Sequence, residues 1–504
     1  MAQAYPKQVE RWGVFEIALP GRADGNPFTD YEIHGTFTGK NESKTVSGFY
    51  DGAGIYKVRF MPSFEGEYRF KIEGSFSGCA EEGTFTATPP TGNNHGPVRV
   101  AYTYHLAYED GTPYFSVGTT CYAFAHQPLE RQAQTLHNLE GTFNKLRFCI
   151  FPKHYDFNFK DPITFPYEGT PCDNSAMTKE NFSAYKPDNP ENHWDFHRFN
   201  PEHFRIFDQR IQDLMDRGIE ADLIVMHPYD RWGFSIMNAE EDDLYWNYIV
   251  ARFSAYRNVW WSLANEYDLM PAKKLADWER YGSILCERDP YNHLRSIHNC
   301  FHFYDYSHPW ITHCSIQRIE NLEPVTNTAA WRTRYRKPIV VDEMCYEGNI
   351  EHGWGNISGR ELLYRFWTVT IQGGYAGHGE TFVHPDNVLW WSHGGELHGE
   401  APARLRFLYK ILSETPGPGL APCPDERVTA IVEGKNDRAY RLLYFGRQQL
   451  CYKRFHFDDN TRYQVELIDT WNMTIEDKGV HSGLFQIDLP GREYMAMRIR
   501  KVEE

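Results

Sequence analysis

The chain has 504 residues, 41% of them hydrophobic and 24% charged, which supplies a large core and exceeds one ordinary domain. Its 52 Lys and Arg against 68 Asp and Glu leave a net charge of −16, which argues against nucleic acid or an anionic membrane as a partner. No apolar run is long enough to cross a bilayer.

Residues 1–92 predict a β-sandwich. Gly54-Ile55-Tyr56-Lys57-Val58-Arg59-Phe60 and Gly66-Glu67-Tyr68-Arg69-Phe70-Lys71-Ile72 both alternate apolar and polar, with turn residues between them. A Pro- and Gly-rich linker follows, from Pro89 to Pro97. From 98 to 415 the pattern becomes strand, helix, strand. Asn200 is a good N-cap, and Pro201 suits the first helical position. Phe204, Phe207, Ile211, Leu214 and Met215 then form one stripe, and Gly218 ends the helix. Ala221–Met226 follows as a strand. Further strands are expected at 114–118, 145–150, 259–263, 294–298, 311–316, 338–341 and near 374–378. Units of this kind predict an α/β fold, a (β/α)8 TIM barrel. Phe151–Phe199 lacks periodicity and reads as an ordered insertion on the barrel's active face. A second linker at 413–419 precedes a C-terminal β-sandwich over 420–504, with clear strands at 463–469 and 484–489.

Two glutamates follow apolar strand-like runs: Glu266 after Trp260-Trp261-Ser262-Leu263-Ala264-Asn265, and Glu343 after Ile339-Val340-Val341-Asp342. Barrels gather functional groups at the C-terminal ends of different strands, so a wide sequence separation is no obstacle. A carboxylic acid and a carboxylate facing one site can cleave a glycosidic bond with retention, one moving a proton and the other attacking the sugar. Glu266 is the acid/base candidate. Asn265 beside it can donate to a sugar 2-hydroxyl. Glu343 is the nucleophile candidate, and Arg147 as a cationic neighbour would keep it ionised. Asp342 and Glu347 are its rivals, and strand alternation sends Asp342 to the opposite side.

His227, His298, His313 and His378 fall at or near strand ends. Each alone reads as a hydrogen-bonded structural residue, and together they fit a polar sugar pocket. Gln317 joins them as a candidate substrate contact. Trp390 and Trp391 read equally as core or as a platform for a sugar ring. There is no His-Glu-x-x-His, no paired cysteine spacing, no Gly-x-Ser-x-Gly and no phosphate-cradling glycine loop, so no metal or cofactor is expected. The ten cysteines read as buried free thiols. With the polar start Met1-Ala2-Gln3-Ala4-Tyr5-Pro6, they lead to the expectation of a cytoplasmic protein.

On these residues the chain resembles glycoside hydrolase clan A. More narrowly, it is similar to bacterial glycosidase-like proteins that join a β-sandwich, a barrel and a C-terminal β-domain. The segments that carry this are His227–Phe234, Tyr256–Asp268 and Ile468–Met473. The resemblance implies an acid/base Glu after Asn on strand four, here Glu266, and a nucleophile on strand seven, here Glu343. Arg147 matches the clan's strand-two arginine. Lys337-Pro338, Glu343 and Tyr346-Glu347 are similar to the apiosidase-like family, whereas Asn265-Glu266 resembles the wider clan. The expected function is a retaining, exo-acting O-glycosidase on an oligosaccharide or glycoside. The alternatives are a non-catalytic carbohydrate-binding barrel and a transglycosylase.

Overall fold

Eight short strands build the centre of the molecule: β1 (Val117–Thr120), β2 (Lys145–Cys149), β3 (Glu220–Met226), β4 (Val259–Ala264), β5 (Arg295–Ser296), β6 (Cys314–Gln317), β7 (Ile339–Glu343) and β8 (Tyr375–His378). The computed structural model describes residues 5–76, 78–319, 325–385, 389–435 and 438–502. These strands pair in parallel in the order β5-β4-β3-β2-β1-β8-β7-β6. A single parallel bridge between His298 and Ser315 joins the two ends of the row. Beside it the Ser296 hydroxyl donates to the His313 carbonyl at 2.5 Å. The sheet is therefore an eight-stranded parallel barrel, closed thinly between β5 and β6. Every residue of β3 is buried, as expected of a strand covered on both faces.

The helices form for the reasons visible in the sequence. Between β2 and β3, α-helix Pro201–Asp216 starts where the Asn200 side chain accepts from Glu202 N, with Pro201 in the first turn. It ends where Gly218 turns left-handed at φ +68° and Ile219 N donates to Leu214 O at 2.9 Å. Helix Ala239–Phe253 carries a full capping box between Asn238 and Glu241.

Antiparallel β-domains flank the barrel. At the N-terminal end a five-stranded and a three-stranded sheet enclose Phe15, Phe37, Phe60, Phe70 and Phe85. At the other end a six-stranded sheet, with a two-stranded one beside it, buries Val465, Met497 and Ile499. The first domain is keyed to the barrel by charge. Asp208 on helix Pro201–Asp216 takes Arg59 of the sandwich at 2.6 Å and Arg252 of helix Ala239–Phe253 at 2.6 Å. All ten cysteines are free thiols; Cys286 and Cys451 are exposed, contrary to the expectation of uniform burial.

The Phe151–Phe199 insertion is ordered. Part of it folds as an antiparallel pair, Tyr167–Thr170 with His193–Phe199, which a lack of periodicity concealed. Its first residues run past the C-terminal ends of the barrel strands.

Candidate active site

Strand β4 ends in Asn265 and Glu266. Glu266 adopts a left-handed backbone, φ 53° and ψ 55°, which a non-glycine residue holds at a cost of order 1 kcal/mol. Its carboxylate accepts from the Tyr229 hydroxyl on Oε2 and from Gln317 Nε2 at 3.1 Å on Oε1. Tyr229 lies just beyond β3, in a loop pinned by Asp230. That carboxylate accepts Trp232 N at 2.7 Å, Ser235 N at 2.7 Å and the Ser235 hydroxyl at 2.8 Å.

Strand β7 delivers Glu343 through a bulge. Val341 pairs with Ile316 and Glu343 with Gln317, which leaves Asp342 as the extra residue. Strict alternation therefore fails here, and Asp342 does not turn to the opposite side. Both carboxylates reach Arg147: Nη1 lies 3.2 Å from Glu343 Oε1, and Nε lies 3.9 Å from Asp342 Oδ1. Glu343 Oε1 also accepts from the Tyr122 hydroxyl and lies 3.7 Å from His298 Nε2. Asn265 Oδ1 accepts from Arg147 Nη2 at 3.2 Å and lies 3.2 Å from Tyr122 Oη, while its Nδ2 has no hydrogen-bond partner among the described residues.

Both glutamates open on one cavity of about 210 Å³, walled by Tyr122, Lys153, Tyr155, Tyr346, Trp354 and Trp391. Lys153 sits in an aromatic box, its ammonium 3.5 Å from the Tyr122 ring centre, 4.1 Å from Tyr229 and 4.8 Å from Trp391. A larger cavity of about 690 Å³ lies on the far side of Lys153, lined by His126, Arg131 and Pro152, and touches neither glutamate.

The two carboxylates are shifted in opposite directions. Burial pushes Glu266 above the ordinary carboxylate range, and the negative charge of Glu343 pushes it further. Lys153, Tyr229 and Gln317 offset only part of this. Burial would raise Glu343 as well, but His298, Arg147 and the Tyr122 hydroxyl bring it below that range. His298 is itself driven down to about 4, first by burial and then by Arg147, so near neutrality Arg147 and Tyr122 remain as the cation and the donor. The pair titrates as a unit, with the first proton leaving from the Glu343 side. Burial also lowers Lys153, to about 8.

A charged layer beneath holds this geometry. Lys145 Nζ bridges Asp222 at 2.9 Å and Asp342 at 2.7 Å, and the Ser315 hydroxyl donates to Asp342 at 2.6 Å. Asp342 is held well below the carboxylate range because Lys145 and Arg147 overcome its burial.

Among the residues singled out from sequence, Arg147, Asn265, His298 and Gln317 surround the two carboxylates, and Trp391 walls the cavity. His227, His313, His378 and Trp390 lie away from its lining. His227 Nε2 meets the Phe151 carbonyl at 3.1 Å, His313 packs edge-on to Trp260, and His378 meets Thr119 Oγ1 at 2.8 Å. Trp390 donates to the same Thr119 oxygen at 2.8 Å within the core. Sequence reasoning passed over Tyr122, Lys153, Tyr155, Tyr229, Cys300, Tyr346 and Trp354. Tyr122 and Tyr229 carried a usable signal, since each stands two or three residues past the end of a barrel strand.

Two carboxylates shifted in opposite directions face one small cavity at the C-terminal ends of a parallel barrel, and similarity to known proteins gives the class of this protein as glycoside hydrolase. The chain belongs to the apiosidase-like family, whose catalytic-domain model matches residues 101–396. Residues 8–75 match a domain of unknown function (DUF5060), and residues 428–500 match another (DUF5605). A candidate glycoside hydrolase from Bacteroides vulgatus ATCC 8482 is 35% identical, with a TM-score of 0.90 over 98% of this chain and 100% of its own. A family 5 glycoside hydrolase from the same organism shares the fold at 14% identity, with a TM-score of 0.60 over 81% of this chain and 93% of its own. No curated protein shows significant similarity.

Proposed function

We propose that the protein is a retaining O-glycosidase that removes terminal sugars from short glycosides. The observation that carries this reading is that Glu266 and Glu343 face one cavity with Arg147 against Glu343 alone of the two, which shifts the carboxylates in opposite directions. Glu343, ionised beside Arg147, attacks the anomeric carbon. Glu266, still protonated, hands its proton to the departing oxygen. Glu266 then takes a proton from water, which releases the sugar from Glu343. Asn265 Nδ2, without a hydrogen-bond partner among the described residues, would donate to the sugar 2-hydroxyl, a bond that strengthens as positive charge develops on the ring. Trp391, Trp354 and Tyr155 offer apolar faces for the ring. Exo action rests on size: about 210 Å³ is below the roughly 300–1,000 Å³ typical of drug-sized sites, and insertion residues Lys153 and Tyr155 wall one side.

Proton NMR of the first-formed product tests both parts. The expected result is a sugar of unchanged anomeric configuration, released singly from a defined oligosaccharide in the first minutes. Inverted product would refute the double displacement. Early mid-length fragments would refute exo action alone.

A further inference from the structure

Behind the cavity wall, the chain after β7 runs beside the end of β8, and Glu347 pairs with Glu380 in a short parallel ladder. This sets two carboxylates together under the start of helix Ala401–Ser413. Four consecutive backbone N–H groups orient them. His398 and Gly399 donate to Glu380 at 2.5 and 2.8 Å, and Glu400 and Ala401 to Glu347 at 2.7 and 2.9 Å. Both carboxylates are buried, and neither has an ion pair with Lys or Arg among the described residues. His378, 0% exposed, brings a third group: a ring nitrogen and one oxygen of each glutamate all lie within 4.8 Å of one another. Its Nδ1 meets Thr119 Oγ1, while its Nε2 has no hydrogen-bond partner among the described residues.

We propose that Glu347, Glu380 and His378 bind a divalent transition-metal ion, zinc by their donor set. Two buried carboxyl groups lie side by side with no ion-pair partner among the described residues and only the more distant charge of Arg404 nearby, and a divalent ion between them supplies compensating charge. One imidazole with two carboxylates suits zinc better than magnesium or calcium, which take oxygen alone. Each carboxylate oxygen spends one lone pair on a backbone N–H and keeps another for a metal, so the amides act as orienting partners. Thr119 Oγ1 does the same for the imidazole, leaving Nε2 to ligate. The space is reserved in the sequence: a Cβ on Gly399 would stand 2.4 Å from Glu347 Oε2 and 2.7 Å from Glu380 Oε2. Metal bonds of about 2.0–2.2 Å draw the three side chains together by a small rotamer adjustment. The ion would staple the loop that carries Tyr346, a wall of the sugar cavity, to β8 and to the last barrel helix. Its role is structural and independent of the proposed glycosidase chemistry.

Tag-free protein is incubated with zinc chloride, dialysed against metal-free buffer and assayed for metal content and melting temperature. The wild type should retain about one zinc per chain and melt higher with it. Glu380→Gln, which preserves shape, and His378→Ala should lose both effects. His352→Ala, which breaks the surface group Asp156, Glu351 and His352, should lose neither. Cobalt should give the wild type, and not Glu380→Gln, a visible absorption band. A wild type that releases all its zinc and melts unchanged would overturn the proposal. So would zinc retention that survives Glu380→Gln and disappears in His352→Ala.

Discussion

Glu266 and Glu343 open on the same small cavity, yet the Arg147 guanidinium touches only Glu343. That asymmetry, more than burial, sorts the two carboxylates, since burial raises both. Removing Glu266 should therefore cost both protonation of the leaving group and activation of the water that releases the sugar. Glu266→Ala is expected to lower kcat/KM for glycosides with poor leaving groups by about 10²–10⁴-fold while barely changing kcat/KM for activated aryl glycosides, whose kcat falls because release of the sugar slows. The alkaline limb of kcat/KM, expected above the ordinary carboxylate range because the Glu266 carboxyl is shifted upward, should vanish with it. Equal losses on both substrates, with the alkaline limb kept, would remove Glu266 from this role. At this scale the sequence exposed the two glutamates, because each follows an apolar strand, and Arg147, because a charge inside an apolar strand asks for a partner. It hid Lys153 and Tyr155, which come from a loop with no period to mark them.

Strands decide which side chains meet. The bulge at Asp342 puts two neighbouring carboxylates on the same side, and nothing in Ile339-Val340-Val341-Asp342-Glu343 announces it, because a bulge is a property of two paired strands. The histidines show the converse. His227 and His378 stand at strand ends as the sequence suggests, but their rings bond to the Phe151 carbonyl and to Thr119. The donor set of Glu347, His378 and Glu380 escaped notice because its members come from separate segments without motif spacing. Strand β3 carries a separate consequence at its first residue. Glu220 is buried, accepts from Trp260 Nε1 at 2.8 Å, and is pushed up to about 8 by burial, which that hydrogen bond only partly offsets. A raised folded-state value means that Glu220 favours the fold at low pH. This contribution is lost as pH climbs from the ordinary 4.5 through about 8. Glu220→Gln should therefore gain stability relative to the wild type across that interval and level off above it, as read from urea midpoints. A difference that does not change with pH would contradict this.

Over the whole molecule, three compositional patterns were legible as three folding regimes: alternation at both ends, and strand-helix repeats between them. How the ends attach was not, because the contacts join residues far apart in the chain. Arg59 and Asp208 are separated by 149 positions and meet at 2.6 Å. Asp208→Ala would leave Arg59 and Arg252 buried without this partner, at an expected cost of about 3–5 kcal/mol in denaturant unfolding. A loss below about 1 kcal/mol, the range of a surface pair, would show that the remaining pairs, Arg59 with Glu16 and Arg252 with Asp51, make Asp208 dispensable.

The central claim is that Glu343 bonds to the sugar. Intact-mass and peptide analysis after exposure to a panel of 2-deoxy-2-fluoro glycosides with activated leaving groups tests it most directly. The expected result is one glycosyl unit on the peptide that contains Glu343, absent from Glu343→Gln. A label on Asp342, on Glu347 or elsewhere, or turnover with no label at all, would contradict it.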